Sequence, residues 1–275
     1  RRMRLLLELG EAPTTGYMKR SMPSLVEPLL RSRALSRAVL RYEGATLRRV
    51  ERRLVALRDR TVLLSPEDAR ELEAQSDGAG RVVGIAPPAR IVTTPAPLLE
   101  GPLRFVFIGS DTLRQNQLTI DRLIDLWRRR RVQTPLVIYG EQERKVPLPD
   151  NVTMPGYARS MTDVYDGRSI LLSPSYLAGG IKTKVLEAFG YGAAVVGNAI
   201  TFEGLDIGDY PLKLDDEAAL LAVVHEPDRH RTLLHSAAVH GQRLLRAAHD
   251  PDEFTSRWIG LFERKGHEHL AQTSA

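Results

Sequence analysis

The sequence lacks cysteine altogether and contains few aromatic residues and few lysines. Its 275 residues include no Cys, 6% Phe, Trp and Tyr together, and only six Lys. The absence of cysteine excludes disulfide frameworks, zinc–thiolate sites and thiol catalysis. No apolar run approaches the roughly 20 residues that cross a bilayer, and no signal-peptide pattern opens the sequence. We therefore expect a soluble, cytoplasmic protein.

Positive charge is concentrated in one segment. The net charge is +5, and the segment from Arg31 to Arg60 holds ten arginines against three acids, a local net charge of +7. Three interpretations remain open: a solvated helical face, a surface for anionic lipid at the inner membrane face or for a lipid-diphosphate acceptor, and a nucleic-acid surface. Nucleic acid is not expected, because Tyr42 is the only aromatic residue among these arginines.

The first 85 residues predict short apolar strands and amphipathic helices. Strands are predicted at 4–9, 61–65 and 81–85, a loop over 10–16, and a helical pattern over about 24–60 that Gly44 could divide in two. Ser65 is predicted to cap the helix that opens at Pro66. Three strands are too few for a doubly wound sheet, so we expect the first domain to be incomplete at its N-terminus.

A proline-rich connection over 86–102 precedes a more regular pattern. Its predicted strands are apolar throughout, as in a parallel sheet that is buried on both faces. These strands are 103–108, 135–139, 151–154, 169–173 and 193–197, with a short edge strand near 212–214. The predicted helices are 116–131, 160–166 and 182–191, with three more over 216–265. Alternating strands and helices favour right-handed βαβ units.

The segment 173–192 is the most informative about chemistry. A strand ends at its start, a loop with Gly179 and Gly180 follows, and a helix is predicted to begin near Thr183. Backbone N–H groups and the positive end of the helix dipole then lie beside an open glycine loop. This arrangement favours an anion such as a phosphate or diphosphate.

Three charged side chains extend this interpretation. Lys182 and Lys184 can meet phosphate oxygens, and Glu187 lies one turn into the helix, where it could accept hydrogen bonds from ribose hydroxyls. The simpler interpretation is that the glycines only turn the chain and the lysines lie in water. The surrounding order of strands and helices favours the anion site.

The run IKTKVLEAFGYGAAVVGNAITFEGL, residues 181–205, resembles the donor-binding signature of GT-B glycosyltransferases of group 1, the GT4-type class. Three other segments are similar to parts of that family: FVFIGS at 105–110, NVTMPGY at 151–157 and TVLLSPEDAREL at 61–72. The resemblance covers about residues 60–275. It implies an α/β fold of GT-B type, with a complete C-terminal Rossmann-type donor domain built on a parallel sheet and an incomplete N-terminal Rossmann-type domain.

The resemblance also implies domain bounds and site residues. Residues 1–95 would be the C-terminal part of the acceptor-side domain, 96–250 the nucleotide-sugar domain, and 251–275 a helix that returns to the first domain, then a tail. Glu187 matches the glutamate that holds the donor ribose. The residues matched to the donor's sugar, diphosphate or base are Gly109, Ser110, Gly156, Tyr157, Gly179, Gly180, Ile181, Lys182, Thr183 and Lys184.

The chain departs from the family at three of its charged positions. Gly179 stands where many members have a second glutamate, and Ser110 and Gln115 stand where many have Arg and Lys. The diphosphate charge would then rest on Lys182 and Lys184 as the catalytic residues, with Arg114 and the helix N-terminus. The sugar, the base and the acceptor are not specified by these residues.

The implied activity is transfer of a sugar from a nucleotide-diphosphate donor, with retention and without metal or other cofactor. An inactive GT-B binding or regulatory protein is the alternative, favoured by Gly179 and Ser110. A dinucleotide-dependent oxidoreductase is disfavoured, because Gly109 is not part of a G-x-G-x-x-G run. The histidines at 225, 230, 235 and 240 recur every five residues, so they cannot line one helical face as metal ligands.

Overall fold

A computed structural model describes residues 5–9, 12–16, 33–57, 60–76, 80–97, 99–143, 145–176 and 180–273. The chain divides into two compact units. The first contains Arg1–Pro87, Gly179–Ile181 and Phe254–Ala275, and the second contains Pro88–Ala178 and Lys182–Glu253. None of the helices within the described ranges is long and apolar enough to cross a membrane.

The first unit is built on a four-stranded sheet. Before the proline-rich connection at 86–102, its elements are β1 (Leu5–Leu9), β2 (Ala12–Gly16), α1 (Arg33–Ala56), β3 (Thr61–Leu63), α2 (Pro66–Gln75) and β4 (Val82–Gly84). The sheet order is β1-β2-β3-β4, with an antiparallel β1–β2 pair and parallel pairing from β2 to β4. Its core contains Val55, Leu63, Ala69, Leu72 and Val82.

The predicted cap of α2 is confirmed, because the Ser65 hydroxyl accepts a hydrogen bond from the Asp68 N–H at 3.1 Å. Two other predictions are wrong. The predicted loop contains β2, because residues 12–16 pair with β1 along their whole length; β3 pairs with β2 only at Gly16, so Pro13 needs no partner on that side. Helix α1 is continuous through Gly44, because one helical glycine costs only about 1 kcal/mol. Residues 24–32 of the predicted helix lie outside the described residues.

The second unit is built on a five-stranded parallel sheet in the order β7-β6-β5-β8-β9. Its strands and intervening helices are β5 (Arg104–Ile108), α3 (Arg114–Arg130), β6 (Leu136–Tyr139), β7 (Val152–Gly156), α4 (Met161–Val164), β8 (Ser169–Leu172), α5 (Thr183–Gly190) and β9 (Val195–Val196). The strand order reverses direction at β5, where the chain moves first to β6 and later to β8. In open α/β sheets, ligands bind beyond the carboxyl ends of the strands at such a reversal.

The predicted strands of this unit are confirmed, but the edge strand near 212–214 is reduced to a single parallel bridge between Gly197 and Lys213. The remaining helices are α6 (Glu217–His225), α7 (Arg231–Ala248) and α8 (Pro251–Thr273), with a short 3-10 helix at Pro227–His230. From Phe254 onward, α8 belongs to the first unit, where the rings of Phe254, Trp258 and Phe262 contact one another.

Helix α5 is anchored by its apolar face. Val185, Ala188 and Phe189 are buried at 1% exposure or less. The Phe189 ring fits against α7 only because Gly241 has no side chain, since a Cβ there would lie 2.2 Å from Cδ1 of Phe189. This packing fixes the start of α5 at the carboxyl edge of the sheet.

Candidate diphosphate site

The first turn of α5, like those of α3 and α7, has neither a side-chain cap nor an acidic residue. Helices α2 and α6 begin with a capping side chain, Ser65 or Asp216, and carry acidic residues in the first turn. Helix α5 has Lys182 at the N-cap position, no side-chain cap and no acid in its first turn. Its positive dipole end is therefore not neutralised by a local carboxylate, as an anion site requires.

Lys182 is paired with a carboxylate. Its Nζ lies 3.2 Å from Oε2 of Glu203, which follows the 3-10 helix Ala199–Phe202. The Lys182 side chain is 11% exposed, whereas that of Glu203 is 40% exposed. The pair is thus reached by solvent from the side of Glu203, and an entering anion would compete with this carboxylate for Lys182.

Lys184 has a different environment. Its Nζ lies 4.1 Å from the ring centroid of Phe107 on β5 and 3.4 Å from the amide oxygen of Asn116 on α3. Burial lowers the pKa of Lys184 to about 7, and repulsion from Lys182 contributes. A cation held over an aromatic face without a paired carboxylate is ready to bind an anion.

The turn after β5 lies beside this ammonium. The Asn116 amide group donates a hydrogen bond to the carbonyl of Ser110 at 2.9 Å, and a Cβ on Gly109 would lie 2.7 Å from the Asn116 amide carbon. The Ser110 hydroxyl interacts with that of Thr112 at 2.9 Å. The next residue, Asp111, is buried, and its Oδ1 accepts the N–H of Glu143.

Gly156 and Tyr157 lie at the carboxyl end of β7. Gly156 has a φ of +85°, a conformation that favours glycine, and its carbonyl accepts the N–H of Gly140 at 2.9 Å. The Tyr157 ring is 72% exposed, and its hydroxyl donates to Glu141 at 3.4 Å. An exposed aromatic ring at this edge offers a stacking surface for a nucleobase.

Glu187 lies on α5 one turn beyond Lys184. Its side chain is exposed, and partial shielding from water raises the pKa of its carboxyl. The negative charge of Glu187 acts on the buried Tyr165 hydroxyl, whose pKa is raised well above its ordinary value by burial and then by Glu187 and Tyr191. An exposed carboxylate on this helix can accept hydrogen bonds from ligand hydroxyl groups.

The other predicted residues are less informative. Thr183 opens α5 and is exposed. Gly180, with a φ of +70°, and Ile181 are assigned to the first unit. Gly179 and the side chain of Arg114 lie outside the described residues, and Gln115 is exposed. The second unit therefore brings Gly109, Ser110, Lys182, Lys184 and Glu187 to the carboxyl ends of its strands or to α5.

Sequence reasoning missed four residues around the site. Phe107 and Asn116 hold Lys184, and Glu203 holds Lys182. Asn198 fixes the chain after β8, because its amide group exchanges hydrogen bonds with the backbone N–H and carbonyl of Ser175 at 3.1 and 2.7 Å. Asn198 also forms a capping box with Thr201, and this N-x-x-T pattern is visible in the sequence.

His235 and His240 contact other residues than those of this site. His240 lies edge-on to Tyr210, and His235 interacts with the carbonyl of Pro97 at 3.3 Å. Within the part of the chain that the structure describes, no group of three His, Asp or Glu side chains could hold a metal ion.

An uncapped helix start, a glycine turn and two lysines thus lie at the carboxyl edge of the parallel sheet of a Rossmann-type domain. Residues 102–226 match the family model described as glycosyl transferases group 1. This match agrees with the resemblance noted over 181–205, and the chain shares the GT-B fold of its structural neighbours. No curated protein sequence matches the chain significantly.

Solved structures of the same fold include three informative neighbours. Sucrose-phosphate synthase from Thermosynechococcus elongatus has a TM-score of 0.65 at 15% identity, over 92% of this chain and 68% of that protein. Anabaena HepE in complex with UDP-glucose has a TM-score of 0.61 at 11% identity, over 80% and 68%. A mutant of S. aureus TarM with UDP bound has a TM-score of 0.60 at 15% identity, over 74% and 44%. This chain therefore spans less than half of TarM.

Proposed function

We propose that this chain transfers a sugar from a nucleoside-diphosphate sugar to an acceptor. The single observation that carries this proposal is the pair of lysines at the uncapped start of α5, of which Lys184 has no carboxylate partner among the described residues. The glycosyltransferase family match over this segment and the presence of UDP or UDP-glucose in the neighbouring structures support a diphosphate ligand here.

The chemistry follows from the charge that develops during transfer. As the bond from the anomeric carbon to the diphosphate breaks, negative charge accumulates on the departing phosphate oxygens. Lys184, Lys182 and the N–H groups at the start of α5 supply fixed positive potential at that place, which is the largest catalytic effect such a site can offer. We propose that this arrangement replaces a metal ion, and that transfer retains the anomeric configuration.

Glu187 and Tyr157 would hold the nucleoside. The exposed Glu187 carboxylate accepts hydrogen bonds from the two ribose hydroxyls, and the exposed Tyr157 ring lies where the base can rest. UDP-sugars are the first donors to try, because the HepE and TarM structures hold UDP-glucose and UDP.

A donor panel tests this proposal. Calorimetry measures binding of UDP, GDP, ADP and dTDP to the whole chain, and labelled sugar donors are then followed for hydrolysis or transfer to lipid and sugar acceptors. We expect one nucleotide to bind clearly better than the others and its sugar to be transferred. Binding without turnover on any acceptor would favour the alternative, a GT-B binding or regulatory protein. Absence of binding by every nucleotide would contradict both.

The basic helix suggests where the acceptor lies. Arg48, Arg49, Arg52 and Arg53 are all exposed on α1, whereas Glu51 on the opposite side is buried. Because these four cations cover one and a half turns, we propose that α1 contacts anionic lipid and that the acceptor is lipid-linked.

Vesicle co-sedimentation tests the membrane contact. Replacing Arg48 and Arg52 together by alanine is expected to weaken binding to phosphatidylglycerol vesicles at least about tenfold, because each surface cation contributes about 1 kcal/mol. The matched control replaces Arg128 and Arg129, which are exposed on α3, and is expected to bind as the unaltered chain does. Equal loss in both variants would show that the effect is one of net charge and not of α1.

A further inference from the structure

Asn116 joins two parts of the candidate diphosphate site that come from different segments. Its side chain is 8% exposed, and its amide nitrogen donates to the carbonyl of Ser110 at 2.9 Å. Its amide oxygen faces the Lys184 ammonium at 3.4 Å. One side chain therefore connects the turn after β5 to the lysine at the start of α5, and both polar ends of the amide are used.

Gly109 leaves room for the Asn116 amide group because it has no side chain. A Cβ at position 109 would lie 2.7 Å from the Asn116 Cγ and 2.8 Å from both of its terminal atoms, closer than side chains pack. The glycine is therefore required here by the position of Asn116.

The surroundings of Lys184 leave Asn116 as its only hydrogen-bond partner among the described residues. Phe107 from β5 contributes an aromatic face, and neither Phe107 nor Asn116 is ionisable. Lys182, on the same connection, is the neighbouring charge, and it is paired with Glu203. Asp111 at the end of β5 is buried and accepts the N–H of Glu143.

We propose that Asn116 is a positioning residue of the diphosphate site, which ties the glycine turn to the Lys184 ammonium so that both meet the diphosphate as one preorganised unit. This inference rests on the proposed function, because it assigns Lys184 to the ligand.

It follows that Lys184 should gain a proton when diphosphate binds. Burial lowers the pKa of Lys184 to about 7, so part of the free protein carries a neutral amine at and above neutral pH. A bound diphosphate favours the charged form and raises this pKa again. Removing the Asn116 amide oxygen withdraws the one hydrogen bond to the ammonium that the described residues supply, so the pKa of free Lys184 should fall further.

Lysine NMR and pyrophosphate binding test the proposal on the whole chain. The six lysines are labelled at Cε, the Lys184 signal is identified by its loss in Lys184→Arg, and pyrophosphate affinity is measured at pH 7.5. In Asn116→Ala we expect Lys184 to titrate about one pH unit lower and pyrophosphate to bind about five- to tenfold more weakly. In the isosteric Asn116→Asp we expect the pKa of Lys184 to be higher. Pyrophosphate should nevertheless bind more weakly, because the new carboxylate pairs with the Lys184 ammonium and competes with pyrophosphate for it.

Asn151→Ala is the matched control, since that amide group bridges the carbonyls of Val132 and Thr134 away from the site. It should leave both the Lys184 titration and pyrophosphate affinity unchanged. The inference is overturned if Asn116→Ala and Asn116→Asp leave the Lys184 titration as it is in the unaltered chain. If the unaltered chain binds neither pyrophosphate nor any nucleoside diphosphate, the proposed function fails, while the titration in the free protein still decides whether Asn116 holds Lys184.

Discussion

Replacing Lys184 by methionine is expected to abolish most diphosphate binding and at the same time to stabilise the protein. The ammonium is the cation of the site without a carboxylate partner in the described structure, so its loss should weaken UDP or pyrophosphate at least about 30-fold. The methionine keeps the packing against Phe107 but removes a charge that burial disfavours. We expect the free energy of unfolding at pH 7 to rise by about 1–3 kcal/mol.

The pH dependence of stability follows from the same residue. Lys184 has a pKa of about 7 in the folded protein and about 10.4 when unfolded, so between these values the unfolded chain binds one more proton. The Lys184 contribution to the free energy of unfolding therefore rises from pH 7 to pH 10 in the unaltered chain and is absent in Lys184→Met.

Thermal melts of both proteins at pH 7 and pH 9 measure this difference. The control is Lys213→Met, which removes an exposed lysine of the same unit and should change neither binding nor stability by a comparable amount. If the Lys184→Met protein melts at a lower temperature than the unaltered chain at pH 7 and still binds pyrophosphate, Lys184 is not part of the diphosphate site.

Replacing Glu187 by alanine is expected to weaken binding of the nucleoside part of UDP without weakening binding of the diphosphate. If its carboxylate accepts both ribose hydroxyls, UDP affinity should fall about 10- to 100-fold, because hydrogen bonds to a charged group contribute about 1.5–3 kcal/mol. Pyrophosphate affinity should be unchanged. Partial shielding raises the pKa of Glu187, so the preference for UDP should weaken as the pH falls through that raised value.

Comparison of UDP with 2′,3′-dideoxy-UDP tests the contact directly. The unaltered chain should prefer UDP, whereas Glu187→Ala should bind the two nucleotides equally. Glu226→Ala removes an exposed carboxylate from the end of α6 and should keep the preference. If Glu187→Ala lowers UDP and pyrophosphate affinity by the same factor, Glu187 acts on the fold of the site and not on the ribose.

Much of the second unit can be predicted from its sequence, because strands buried on both faces are apolar throughout. The runs at 103–108, 135–139 and 169–173 each contain a strand of the observed sheet. The start of α5 is also predictable, since the glycines before Thr183 and the apolar spacing after it mark a helix boundary. These local patterns place Lys182, Lys184 and Glu187 at the sheet edge.

The partners of the two lysines cannot be read from the sequence. Lys182 and Lys184 are two positions apart, yet one is paired with Glu203 and the other with Asn116, which is 68 residues earlier in the chain. Such contacts depend on the order of strands in the sheet and not on any local pattern. For the same reason β2 is not predictable from its own residues, because only pairing with β1 makes a segment containing Pro13 extended.

A crystal structure of the protein with UDP would show where the diphosphate binds. We expect the β-phosphate to lie within hydrogen-bonding distance of Lys184 Nζ and of the first N–H groups of α5, with the ribose hydroxyls on Glu187. UDP bound elsewhere, for example in the groove of about 740 Å³ lined by Arg122, Tyr176 and Asp216, with Lys184 still contacting only Phe107 and Asn116, would contradict the proposed diphosphate site.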